Sequence, residues 1–159
     1  MELLRVPRNE VAVRILLDDG RTLDGSLFTA ATGHDGRPAR VLDHLNDSTE
    51  EFFPVACGED RFVLNKAGVI TVTVAGGEEQ VGEPELYADP GHEVPVRMTL
   101  TGGISLIGKL PIAMPRERSR VVDYLNSAPR FVPLLGSGQV TLVQRGYIVS
   151  VRGEERRPT

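Results

Sequence analysis

Arg40-Val41-Leu42-Asp43-His44-Leu45-Asn46 returns, little changed, as Arg120-Val121-Val122-Asp123-Tyr124-Leu125-Asn126. Arg, Val, Asp, Leu and Asn recur in register, and the positions between them stay apolar or carry a ring. Each copy leads into an apolar run containing proline, Phe52-Phe53-Pro54-Val55 in one case and Phe131-Val132-Pro133-Leu134 in the other. Val41, Leu42 and Leu45 fall at i, i+1 and i+4, which predicts a short helix with one apolar face. Asn46-Asp47-Ser48 ends it.

The flanks repeat as well. Val11, Val13, Ile15 and Leu17 share one face while Ala12, Arg14 and Asp18 share the other, as in a half-buried strand. Asp18-Asp19-Gly20-Arg21 reads as a hairpin turn, because Asp-Gly tolerates the positive φ that tight turns need. Leu23, Gly25, Leu27 and Thr29 continue as a second strand, and the glycine predicts a sharp bend there. After the heptad, Phe52–Ala56, Phe62–Leu64 and Val69–Val74 are strand candidates, with Asn65-Lys66-Ala67-Gly68 a tight connection. Residues 1–10 fit either one helical turn or an irregular arm.

The same plan restarts with Val94, Val96, Met98 and Leu100, then Thr101-Gly102-Gly103, then Leu106, Gly108 and Leu110. Val140–Val143, Gln144-Arg145-Gly146 and Tyr147–Val151 repeat the closing hairpin. The expected fold is all-β, with two homologous small five-stranded barrels and a short helical connector in each. The first barrel covers 1–78, a linker 79–91, the second barrel 92–153 and a polar tail 154–159.

With 159 residues, 40% hydrophobic and 5% aromatic, the chain suits one ordinary domain or two small ones resting on Val, Leu and Ile. Net charge is -4 but uneven: residues 1–79 carry 8 basic and 14 acidic side chains, and residues 80–159 carry 10 and 8. One cysteine, Cys57, excludes an internal disulfide framework and a cysteine-based zinc site. No stretch approaches a membrane span, so a soluble cytoplasmic protein without membrane partners is expected.

Val94-Pro95-Val96-Arg97-Met98-Thr99-Leu100-Thr101-Gly102-Gly103-Ile104-Ser105-Leu106-Ile107-Gly108-Lys109-Leu110 resembles the opening of an Sm-like protein, the group that includes the bacterial Hfq RNA chaperones. Val11 to Leu27 carries the same pattern. Gln144-Arg145-Gly146-Tyr147-Ile148 and Asn65-Lys66-Ala67-Gly68-Val69-Ile70 resemble the second Sm signature, and Asp123-Tyr124-Leu125-Asn126 is similar to the close of the first. The resemblance implies a strongly bent barrel in each half, RNA binding, and rings formed by pairing edge strands. It implies base stacking by His44 and Tyr124, base-reading amides at Asn46 and Asn126, and phosphate or base-edge contacts from Lys66 and Arg145. The chain departs from the family in the long segment between Gly25 or Gly108 and the heptad, in lacking Lys-His in the closing hairpin, and in carrying two modules.

The residues also have a structural reading. Arg40 and Arg120 can pair with nearby carboxylates, Asp43 and Asp123 can cap backbone N–H groups, and the asparagines can stop the helical turn. Arg116 and Arg118, with Arg120, form the densest basic cluster and are the remaining candidates for a phosphate or a partner. Gly33-His34-Asp35-Gly36 lacks a second ligand group, Gly136-Ser137-Gly138 lacks the context of a nucleophile elbow, and Cys57 sits in an apolar run. No catalytic residue, metal or cofactor is expected. The expected function is a non-catalytic assembly or protein-interaction module that associates with itself or a protein partner; the alternative is an Sm-like RNA-binding protein.

Overall fold

The computed structural model describes residues 8–30, 40–75, 93–112 and 121–154. The Gly33–Gly36 motif, the linker 79–91 and the arginines 116, 118 and 120 lie outside the described residues. The first half contains β1 (Arg8–Leu17), β2 (Thr22–Ala30), α1 (Val41–Asn46), β3 (Phe52–Cys57), β4 (Asp60–Asn65) and β5 (Val69–Ala75). The second contains β6 (Glu93–Leu100), β7 (Ser105–Pro111), α2 (Val121–Ser127), β8 (Phe131–Leu135), β9 (Gln139–Gln144) and β10 (Ile148–Gly153). One 3-10 turn precedes the last strand of each half, Lys66–Gly68 and Arg145–Tyr147. The predicted strands and both short helices are present, and β1 already begins at Arg8.

The turn chemistry is what the residues dictate. Gly20 has φ +90°, and Gly102 and Gly103 have φ +88° and +79°, conformations a side chain would strain. Gly25 and Gly108 serve a different purpose. A Cβ on Gly25 would overlap the Ala56 carbonyl, and one on Gly108 would lie 2.7 Å from both Leu134 Cγ and the Leu135 oxygen. Both glycines therefore let the second strand bend and press its backbone against the third. That contact is brief: Ser26 and Leu27 pair with Ala56 and Val55, and Lys109 pairs with Leu135.

The ten strands form one open antiparallel sheet in the order β10-β6-β7-β8-β9-β5-β1-β2-β3-β4. The all-β expectation holds, but the hydrogen bonding of the described residues draws a continuous sheet rather than two closed barrels. Each half uses the order fifth, first, second, third, fourth. The registers make the duplication exact in space: Val13 faces Gly25 as Val96 faces Gly108, and Phe52 faces Asn65 as Phe131 faces Gln144. The halves join through β5 and β9, where Thr71, Val72 and Thr73 face Val143, Leu142 and Thr141. The fifth strand of one half thus meets the fourth strand of the other. A twofold would have matched like with like; this join is head to tail.

Apolar side chains cross the join in both directions. Phe131, Val140 and Leu142 of the second half lie in the core built on Ile15, Leu27, Val55 and Val72 of the first. Ile70 of the first half lies in the core built on Val96, Met98 and Leu110 of the second. Neither core is complete without the other half. No described helix is long and apolar enough to cross a membrane, which says nothing of a β-barrel.

Candidate interaction surface

Asp43 and Asn46 of the first heptad find partners within the chain. Asp43 accepts from Arg40 Nε at 2.9 Å and from the Arg40 backbone N–H at 3.3 Å, closing the start of α1. Lys66 is fully buried, and its Nζ donates to the carbonyls of His44 and Asp47 at 3.0 and 2.8 Å. A cation placed there satisfies the carbonyl end of α1. Burial pushes the Lys66 pKa down, while the Thr49 hydroxyl and N–H hold Asp47 below the usual carboxylate range. Arg145 repeats the device on α2, with Nη1 donating to Leu125 and Ala128 oxygens at 2.9 and 2.7 Å. The two cations expected to meet RNA are thus engaged by helix ends. The His44 ring meets Phe53 edge-on with centroids 5.8 Å apart, and Tyr124 packs half-buried on the second core.

Asn46 does something else. Its Oδ1 accepts from the Phe131 N–H at 2.7 Å and its Nδ2 donates to the Phe131 oxygen at 3.1 Å. One side chain supplies both hydrogen bonds that a neighbouring strand would have made, and it does so across the two halves. Around it, Gln144 Nε2 donates to the Lys66 and Val69 oxygens at 2.8 and 2.6 Å. Arg130 grips Glu51 with two bonds of 2.9 Å, which holds Glu51 below the usual carboxylate range. The Tyr147 hydroxyl donates to the Ala67 carbonyl and lies 3.0 Å from Asp18 Oδ2. Burial and that carboxylate push the Tyr147 phenol up. Thr73 and Thr141 hydroxyls meet at 3.3 Å.

Among the described residues, the two ends of the sheet lack such cover. Relative exposure is 58% for Phe52, 71% for Val63 and 66% for Val149. Their counterparts at the join, Phe131, Leu142 and Ile70, stand at 0%, 0% and 5%. The helices differ in the same way: Val41 and Leu45 of α1 are buried beneath Phe131, whereas α2 buries no residue fully. Between α2 and β10 lies an open groove of about 740 Å³, lined by Val121, Val122, Leu125, Asn126, Val149 and Val151 among others. Asn126, the counterpart of Asn46, is exposed at its rim.

Asn46, Gln144, Arg130 and Tyr147 as ties across the join were not apparent from the sequence. A signal was present in the places where the repeats disagree, since Tyr147 answers Gly68, Gln144 answers Asn65 and Arg130 answers Glu51. Among the described residues no three His, Cys, Asp or Glu side chains converge as a metal site would require. No family model, curated protein or solved structure matches the chain.

Proposed function

We propose that the chain is a non-catalytic assembly or protein-interaction module built from two tandem barrel-like units, and that it works by strand addition at its sheet ends. The observation that carries this is the exposure of Val63 on β4 and Val149 on β10, which among the described residues are the two strands with a neighbour on one side only, together with Phe52, which opens the adjoining β3. Edge strands with unpaired backbone groups and apolar side chains are templates for another chain, and proteins that do not use them cover or charge them. Lys66 and Arg145, which RNA binding would need, donate to helix carbonyls instead, and the half that contains Lys66 is acidic.

Sedimentation of the full chain over a range of concentrations tests this, run beside titration of labelled mixed-sequence single-stranded RNA at low salt. The expected result is mass that rises above one chain with concentration and no RNA signal. A chain that stays single and binds RNA, with affinity falling steeply as salt rises, would replace assembly with the Sm-like RNA-binding reading.

A further inference from the structure

We infer that the groove between α2 and β10 is the socket for a second copy of this chain, which enters with Phe52 and lays its β4 edge along β10. The inference rests on the assembly reading and specifies its partner, its polarity and its contacts.

The join inside the chain supplies the template. There, a fourth strand (β9) pairs with a fifth strand (β5), and the phenylalanine opening the preceding strand, Phe131, is buried in the core against α1. The chain ends with the complementary halves of that same joint unused. β4 is the fourth strand of the first half and opens the sheet at one end, while β10 is the fifth strand of the second half and opens it at the other. Because the join is head to tail, repeating it between copies uses no surface twice.

The side chains correspond position by position. Phe52 occupies the place of Phe131, facing Asn65 as Phe131 faces Gln144. The socket repeats α1 and β5: Val121, Leu125 and Val151 stand where Val41, Leu45 and Val72 are buried. Asn126 stands where Asn46 clamps the Phe131 backbone, so its amide meets the N–H and oxygen of residue 52 in the incoming copy. Transferring the register sets Ser150, Val151 and Arg152 opposite Leu64, Val63 and Phe62. Val63 and Val149, exposed in the single chain, become covered as Leu142 and Ile70 are at the join.

The outer joint is built weaker than the inner one. Gly68 replaces Tyr147 and its two hydroxyl contacts. Asn65, in the place of Gln144, already accepts from the Ala67 N–H at 2.9 Å. Asp60 falls opposite Glu154, a like-charge pair where the inner joint has Gln139 opposite Ala75. Copies therefore join reversibly while each chain stays intact.

Complementation of two blocked variants tests the joint. Phe52→Asp spoils the plug and keeps the socket; Val149→Asp spoils the socket and keeps the plug. Both positions are exposed in the single chain, so each variant keeps its fold, checked by circular dichroism and thermal unfolding. By sedimentation velocity each alone associates about thirtyfold or more weakly than the parent. Mixed in equal amounts, they form a two-chain complex that grows no further. Asp60→Lys has the opposite effect and tightens association about threefold, a gain that damage to the fold does not mimic. If the parent assembles but either blocked variant assembles unchanged, or the mixture stays single, this joint is wrong and the assembly reading stands. If the parent never exceeds one chain, both fall.

Discussion

The inner joint and the two open ends are the same surfaces in different circumstances. At the join, Phe131, Leu142 and Ile70 are buried and four polar side chains tie the halves; at the ends, Phe52, Val63 and Val149 face solvent and three of the four tying residues are replaced, the asparagine alone being kept as Asn126. A duplicated chain has no need of Phe52 in water unless something covers it, since polar or charged residues would blunt the edge at no structural loss. The comparison therefore separates what the fold needs from what it holds in reserve. Substitutions in matched pairs, one at the join and one at an end, measure that separation directly.

The widest gap is expected at the phenylalanines. Phe131→Ala removes a fully buried ring from a core shared by both halves and should cost about 3–5 kcal/mol in urea unfolding. Phe52→Ala, measured below the concentration of any assembly, should cost about 1 kcal/mol or less. Similar costs at the two sites would mean that Phe52 already packs within its own chain, and the contrast would collapse.

The asparagines come next. Asn46→Ala leaves the backbone N–H and oxygen of Phe131 without their partner, for about 2–3 kcal/mol. Asn126→Ala should change single-chain stability by about 0.5 kcal/mol or less. A large loss from Asn126→Ala would show that it serves the second half internally rather than waiting at the groove.

Smaller again is the contrast of the capping cations. Lys66→Met keeps the volume of the stem but leaves the part-buried His44 and Asp47 carbonyls without their donor, for about 2 kcal/mol. Arg145→Met exposes the Leu125 and Ala128 carbonyls to water, which can hydrate them, for about 0.5–1 kcal/mol. Should labelled RNA bind the parent and lose its affinity on Arg145→Met with stability intact, the cap would not be the residue's main task.

Strand alternation, turn glycines and the repeated heptad carry local information, and local information was enough for the strands, both helices and the duplication. Whether the sheet closes on itself or runs on into the next half depends on which edge finds which, and no periodicity encodes that. The join is written in single differences such as Tyr147 against Gly68, which look like drift until β5 and β9 lie side by side. Lys66 and Arg145 were ambiguous for the opposite reason. A cation after a closing strand suits a nucleotide loop or a helix carbonyl equally well, and only the folded position of the helix end shows which carbonyls lie within its reach. Asn46 stands at a helix end, where an asparagine usually caps; its amide turns instead to the backbone of a residue far along the chain.

The finest contrast is one of pH. Tyr147 ties the inner joint and Gly68 stands in its place outside, so the join should carry an alkaline limb through its phenol. The folded pKa is raised, so this contribution is complete below the ordinary tyrosine value near ~10 and is lost as pH climbs through the folded one. Lys66, whose pKa is lowered, contributes with the opposite sign in the same range, so the readout is the difference between parent and variant. Tyr147→Phe should cost about 1 kcal/mol near neutrality, and the cost should shrink toward zero as pH rises past that limb. On the acid side, Glu51 and Glu154 are held below the usual carboxylate range by Arg130 and Arg97, and Asp19, Asp24 and Asp47 also have lowered values. Their shared contribution is complete above the ordinary carboxylate values near ~4 and is lost as pH falls through the folded ones. Glu51→Gln removes one of the five and flattens that limb only in part. Urea midpoints of the parent and Tyr147→Phe across pH 7 to 11 decide the matter: two curves that run parallel throughout would show that the hydroxyl adds nothing to the join, and that the inner and outer joints differ in burial alone.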